Sequence, residues 1–153
     1  MTEKKGKVVL TTGVFDILHY GHVRLLEEAK KVGGEDAKLV VIVARDKTVE
    51  KRKGKKPVLP EWERRAIVAA LRVVDEALLG FEEMDMERVI ELVRPDIIAV
   101  GYDQDDIEAQ LRRLIEEKGY DVQIVKMRRY GSEDLDSSSK IKGRIIENWR
   151  GRS

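Results

Sequence analysis

The chain has 153 residues, and its 30 lysines and arginines nearly balance its 29 aspartates and glutamates. This length predicts one domain over residues 1–153, large enough to bury a core without disulfides or a structural metal. The chain contains no cysteine, which excludes disulfides, thiolate metal sites and thiol catalysis; its balanced charge argues against a general nucleic-acid-binding protein, which needs a basic excess.

No apolar run approaches the roughly 18 residues that a membrane span needs, so no membrane contact is expected. No signal peptide follows residues 1–7 either. The default expectation is a cytoplasmic protein, and a chain without cysteine fits a reducing compartment.

Five short runs rich in β-branched and other apolar residues predict strands. In chain order they cover residues 8–12, 39–43, 77–79, 97–100 and 122–125. The second run is apolar on both faces, as the central strand of a parallel sheet is.

Apolar residues at helical spacing predict five helices between and after these strands. Pro60 begins one of them, with Ile67 and Val68 facing inward, at a position where its missing N–H costs nothing. Gly119 ends the helix over residues 105–118 as a C-cap. Strands that alternate with helices predict an α/β fold: a Rossmann-like, doubly wound parallel five-stranded sheet with helices on both faces.

Ligands of such sheets bind beyond the carboxyl ends of the strands, which directs attention to the segment after the first strand. There Gly13 allows close backbone approach, and the chain's only histidines, His19 and His22, flank Gly21. The histidines are three apart at a predicted helix start, where free N–H groups and a partial positive charge bind phosphate. Two imidazole donors at this place would stabilise charge that grows on a phosphorus during transfer.

Two other interpretations of these histidines are open. A His-x-x-His pair by itself is often a surface or capping feature. His19 and His22 together with Asp16 are also a candidate metal site, although the spacing is not that of a zinc-protease helix and no glutamate base accompanies the pair.

The motifs of this segment resemble a known signature. The pattern G-x-F-D at residues 13–16, followed by H-x-G-H at residues 19–22, is similar to the signature of the cytidylyltransferase-like nucleotidyltransferase superfamily. Further segments resemble motifs of that superfamily in the same order. They are Asp46, residues 60–64, residues 101–104 and residues 137–142.

The resemblance implies a phosphate-binding role for Arg64, which would otherwise be a surface ion-pair partner of Glu61. Residues 47–56 are rich in lysine and favour a mobile clamp on the triphosphate, or else a solvated charge run. The candidate phosphate ligands in this loop are Lys51, Lys53 and Lys55.

Serines at residues 137–139 offer hydroxyl and N–H donors at the last predicted helix start, where they are alternatively plain N-caps. Asp103 is a candidate ligand of ribose or adenine, or alternatively a turn residue. The expected nucleotide-binding residues are Thr12, Gly13, Val14, Phe15, His19, Gly21, His22, Asp46, Gly101, Asp103, Ser137, Ser138 and Ser139. The expected catalytic residues are His19, His22, Lys55 and Arg64.

Within the superfamily the chain is most similar to archaeal FAD synthases, on residues 43–49, 53–57 and 101–104. The resemblance implies that AMP moves from ATP to FMN and that pyrophosphate leaves. It also implies Mg²⁺, held largely by substrate oxygens and water with Asp16 as a possible ligand, and a possible homodimer. The aromatic residues that are candidates to stack on the flavin are Trp62, Tyr102 and Tyr130.

Three alternatives stay open. The first is a related enzyme: a glycerol-3-phosphate cytidylyltransferase, which shares nearly every motif and uses CTP, or another adenylyltransferase. A non-catalytic nucleotide sensor would use the same pocket, but it would not need donors aimed at a phosphorus in transfer. Nucleic-acid binding is suggested only by residues 47–56 and ranks last.

Overall fold

A computed structural model describes residues 6–132 and 134–151. Its elements, in chain order, are β1 (Val8–Gly13), α1 (Tyr20–Val32), β2 (Lys38–Val43), α2 (Asp46–Lys53), α3 (Glu61–Ala69), β3 (Glu76–Leu79), α4 (Met86–Val93), β4 (Ile97–Val100), α5 (Asp105–Lys118), β5 (Gln123–Lys126) and α6 (Ser138–Arg150). Within the described ranges, no helix has both the length and the apolar character that a bilayer crossing requires.

The five strands form one parallel sheet in the order β3-β2-β1-β4-β5. Val9 of β1 lies opposite Leu39 of β2 on one side and Ile97 of β4 on the other. The chain therefore winds outward in both directions from β1, and the direction changes between β1 and β4. That edge of the sheet is the switch point at which ligands of open parallel sheets bind.

Helices cover both faces of the sheet, as the alternating pattern predicts. On one face Leu26 of α1 and Val68 of α3 pack with Val41 in a buried apolar cluster. On the other face Val89 of α4 and Leu111 of α5 belong to a second cluster that includes alternate residues of the same strands. The sheet is thus the middle of three layers, and its buried strands hold the site rigidly at their carboxyl ends.

The lysine-rich segment differs from its prediction as a loop. Residues from Asp46 form the helix α2, which buries Thr48 and Val49 and ends at Gly54 in the left-handed conformation, with φ 75°. An acidic residue in the first turn and the basic residues 51–53 in the last turn complement the helix dipole. This local electrostatic fit stabilises a helix that apolar periodicity does not reveal.

The helices α3 and α6 expose apolar residues. Ile67 of α3, expected to face inward, is 39% exposed, whereas Val68 is fully buried. In α6 none of the described residues is buried, and Trp149 is 77% exposed. Only the start of α6 contributes to the site described next.

Candidate active site

A cavity of about 500 Å³ lies at the carboxyl edge of the sheet, between the starts of α1 and α6. It has the size of a nucleotide pocket. The predicted site residues that line it are Thr12, Gly13, Val14, Phe15, Asp16, His19, Gly21, His22, Lys53, Lys55, Gly101, Asp103, Ser137, Ser138 and Ser139. The predicted site residues that do not line it are Asp46, Lys51 and Arg64.

The two histidines stack on each other at the start of α1. Their ring centroids are 3.7 Å apart, and the backbone N–H of His19 donates to Nδ1 of His22 over 3.2 Å. Because Nδ1 accepts this bond, the ring proton of neutral His22 is on Nε2, which makes Nε2 a donor. A Cβ on Gly21 would lie 2.9 Å from the His19 ring and 3.0 Å from the carbonyl oxygen of Tyr130. Glycine between the histidines is therefore required by packing.

Both rings are neutral near pH 7. Burial, reinforced by the neighbouring His19, lowers the pKa of His22 to about 3. Burial also lowers the pKa of His19, against the opposing effect of Asp136. Nδ1 of His19 is buried and has no hydrogen-bond partner among the described residues. Each neutral ring can therefore donate one N–H hydrogen bond, and the bond at Nδ1 fixes the orientation of the His22 ring.

Asp16, considered above as a metal ligand, has a different role in this structure. Its two carboxylate oxygens accept backbone N–H groups of Val58, at 2.8 Å, and Leu59, at 2.9 Å. The flanking residues Phe15 and Ile17 have φ values of 54° and 50°, which non-glycine residues rarely adopt. The carboxylate therefore secures a strained turn below the cavity and ties it to the segment before α3.

The structure does not place Arg64 where the sequence predicted a phosphate ligand. Its side chain is fully buried, and its guanidinium donates to the carbonyl oxygens of Val14 and Ala44, each at 2.8 Å, and of Leu59 at 2.9 Å. It also forms a 2.6 Å ion pair with Asp46. These bonds join the segments that leave β1 and β2, which explains why neither charged residue reaches the cavity.

The alternative pairing of Arg64 with Glu61 is also wrong. Glu61 instead pairs with Arg45 at 2.9 Å and accepts the backbone N–H of Asp46. A signal for burial was present in the sequence, because Arg64 is four residues before the buried Val68 and shares its helix face.

Within the lysine-rich segment, the basic residues that reach the cavity lie at the end of α2 and just after it. Lys53 and Lys55 are the predicted members, while Lys51 lies on an exposed position of α2 outside the cavity. Arg52 and Lys56 also line the cavity and were not singled out from the sequence. A run of consecutive basic residues does not reveal which of them face inward until the helix phase is known.

The start of α6 forms the opposite wall. The Ser137 hydroxyl accepts the backbone N–H of Lys140 at 3.2 Å and so caps the helix, and the Ser138 hydroxyl donates to the carbonyl oxygen of Asp16. Ser139 lines the cavity beside them. The first N–H groups of a helix have no intrahelical partner, so this wall favours an anion.

Two further residues that support the site were not predicted. Gln104 accepts the backbone N–H of Gly101 at 2.8 Å and donates to the carbonyl oxygen of Thr12 at 3.2 Å, which links the ends of β1 and β4. Asp136 is buried and pairs with Arg129 and Lys140. Hydrogen bonds from these two cations hold the pKa of the Asp136 carboxyl well below its usual range.

The sequence and the fold are similar to those of known proteins. The model of the family described as cytidylyltransferase-like matches residues 10–144. The FAD synthase of Methanopyrus kandleri is 45% identical over 145 residues, which cover 95% of each chain. The FAD synthase of Ferroglobus placidus is 49% identical over 140 residues, covering 92% of this chain and 88% of that one.

Among solved structures, a crystal structure described as a lipopolysaccharide core biosynthesis protein from Thermoplasma volcanium is similar at a TM-score of 0.73. It is 45% identical, and the match covers 82% of this chain and 99% of that one.

Proposed function

The chain belongs to the cytidylyltransferase-like family, and we propose that it is a FAD synthase that transfers AMP from ATP to FMN and releases pyrophosphate. One observation carries the proposal: the stacked histidines at the start of α1 and the serines at the start of α6 line the same cavity, which has the size of a nucleotide pocket. The chain is similar to FAD synthases over about nine-tenths of its length, and this similarity supports FMN as the acceptor.

The reaction is an in-line displacement at the α-phosphorus of ATP. An oxygen of the FMN phosphate forms the new P–O bond, and the bond between the α-phosphorus and the bridging oxygen to the β-phosphorus breaks. Because a phosphate oxygen is already ionised near neutral pH, no general base is needed, and catalysis depends on positioning and charge stabilisation. His22, through Nε2–H, and His19 would donate to the reacting phosphates.

The leaving pyrophosphate needs cations and amide donors. Lys53 and Lys55 on one side of the cavity and the start of α6 on the other supply them. Gly54 sets the direction of the chain between the two lysines through its left-handed conformation. Arg64 contributes indirectly, by fixing the carbonyl groups below the site.

Mg²⁺ fits this site as an ion held by the substrate. In the described parts of the chain no group of three or more acidic or histidine residues is placed to hold a metal, and both oxygens of Asp16 accept backbone N–H groups. When bound between phosphate oxygens and water, Mg²⁺ would neutralise polyphosphate charge.

A panel of nucleotides and acceptors tests the function. ATP with FMN and Mg²⁺ is expected to yield FAD and an equal amount of pyrophosphate. Turnover of CTP with glycerol 3-phosphate, and none with FMN, would show a different acceptor for the same chemistry. Nucleotide binding without pyrophosphate release in any combination would identify a sensor instead of an enzyme.

A further inference from the structure

A second groove opens beside the active-site cavity, between the carboxyl end of β2 and the segment 80–85 that leads into α4. Its lining is mostly apolar. The floor consists of core residues that are at least nine-tenths buried, and the rim consists of Phe81 and Met84, of which Met84 is 40% exposed. The floor residues are Ile42, Met86, Val89 and Ile107.

The groove and the cavity are continuous. They share lining residues at the ends of β1 and β2 and on α2, among them Thr12, Thr48 and Arg52. One ligand can therefore place a polar end in the cavity and an apolar end in the groove. ATP has no apolar part beyond its base, so the second ligand of the reaction is the natural occupant of the groove.

Arg52 stands where groove and cavity meet. Its guanidinium pairs with Asp106 at 2.7 Å, and both side chains are largely exposed. An exposed ion pair of this kind is weak, so a doubly charged phosphate can replace the carboxylate at little cost. Arg52 also lies beside the cavity in which the α-phosphorus must lie.

We propose that this groove, whose volume is about 80 Å³, binds the apolar dimethylbenzene end of the isoalloxazine ring of FMN and that Arg52 binds the FMN phosphate at the junction. The inference rests on the proposed function. A flat, largely apolar ring suits a pocket with aromatic and thioether walls, and Phe81 is held in place by the Arg88 guanidinium 4.1 Å from its ring centroid. Glycerol 3-phosphate has no part that would fill this groove.

The aromatic residues that the sequence suggested as flavin contacts lie farther from the groove than Phe81 and Met84, which line it. Trp62 is 64% exposed and lines neither the cavity nor the groove. Tyr102 and Tyr130 line the nucleotide cavity, away from the groove. Phe81 and Met84 are therefore the side chains assigned to flavin specificity.

The test compares Met84→Asp with the control Leu92→Asp. Leu92 is 63% exposed on α4 and lines neither pocket. Binding of FMN and of riboflavin is measured without ATP by quenching of flavin fluorescence, and KM is measured for FMN and for ATP. Met84→Asp is expected to weaken the binding of both flavins at least tenfold and to leave the KM for ATP within twofold. Leu92→Asp is expected to change neither flavin binding nor the KM for ATP.

The phosphate contact is tested separately with Arg52→Met. This change is expected to weaken the binding of FMN at least tenfold. The binding of riboflavin, which has no phosphate, is expected to weaken less than twofold. Equal weakening of both flavins would contradict the assignment of Arg52 to the phosphate.

The outcomes separate the inference from the function. FAD formation with an unchanged KM for FMN in both Met84→Asp and Phe81→Ala would overturn the groove as the ring site and leave the FAD synthase activity standing. A parent protein that forms no FAD and does not quench FMN fluorescence would overturn both.

Discussion

The two ring nitrogens of His22 have different surroundings. Nδ1 accepts the backbone N–H of His19 and helps to fix the start of α1, whereas Nε2 carries the ring proton that the proposed reaction would use. The two nitrogens of this side chain therefore differ in their contributions: Nδ1 contributes to structure and Nε2 to the proposed chemistry. Substitutions that replace one nitrogen at a time can measure each contribution.

Asparagine at residue 22 has its polar group near the position of Nδ1, and glutamine has it near Nε2. His22→Asn is therefore expected to fold normally and bind ATP within about tenfold, while kcat falls about 10²–10³-fold, the usual effect of losing one such donor. His22→Gln is expected to keep more turnover. Steady-state kinetics and an ATP titration check this, and equal turnover of His22→Asn and the parent protein would remove His22 from the chemistry.

The buried position and the hydrogen bonds of Arg64 predict that it stabilises the fold and does not bind phosphate. Arg64→Met leaves three carbonyl oxygens and Asp46 without their partner, which is expected to lower the free energy of unfolding by about 3 kcal/mol. The matched control Arg65→Met loses one bond, of 3.3 Å to Ala77, and is expected to cost less than about 1 kcal/mol. Urea unfolding measures both, and unchanged stability with a raised KM for ATP would restore the phosphate role.

At the scale of elements, the strands and the longer helices follow from local pattern. The apolar run of β2 and the helical spacing of α5, with Gly119 at its end, predict those elements within a residue at either end. Their signals are strong because each buries a continuous face against the sheet. The helix α2 was missed because only Thr48 and Val49 of its eight residues are buried.

Part of the site could also be predicted from the sequence, because part of it is formed by one local segment. The turn between β1 and α1 is local, so glycines and histidines at fixed spacing locate the cavity. The roles of Asp16 and Arg64 depend on partners about 40 and 50 residues away in the chain, Val58 and Val14. The groove beside the cavity likewise needs β2, α4 and α5 to be brought together before it exists.

The whole molecule is expected to lose stability on mild acidification. Unfolded histidines bind a proton below a pH of about 6.5, but burial lowers the pKa of folded His22 to about 3 and that of His19 below its usual value. The unfolded state therefore binds more protons between these values, and the free energy of unfolding falls as the pH falls. From pH 7 to pH 5 the expected loss from His22 is about 2 kcal/mol, and the lowered pKa of His19 acts in the same direction.

His22→Asn removes one of these groups and is expected to lose correspondingly less stability between pH 7 and pH 5. Urea unfolding of both proteins at pH 7 and pH 5 makes this comparison. Both pH values lie above the range in which carboxylates titrate. A parallel loss in parent and variant would show that His22 titrates normally in the folded protein.

Transfer of label from ATP tests the central claim most directly. With FMN and ATP labelled at the α-phosphorus, the label is expected to appear in FAD in step with pyrophosphate release, because the α-phosphorus is the atom attacked. ATP labelled at the γ-phosphorus is expected to give labelled pyrophosphate and unlabelled FAD. Label from the γ-phosphorus in the flavin product, or α-label that appears only in free AMP, would contradict the account.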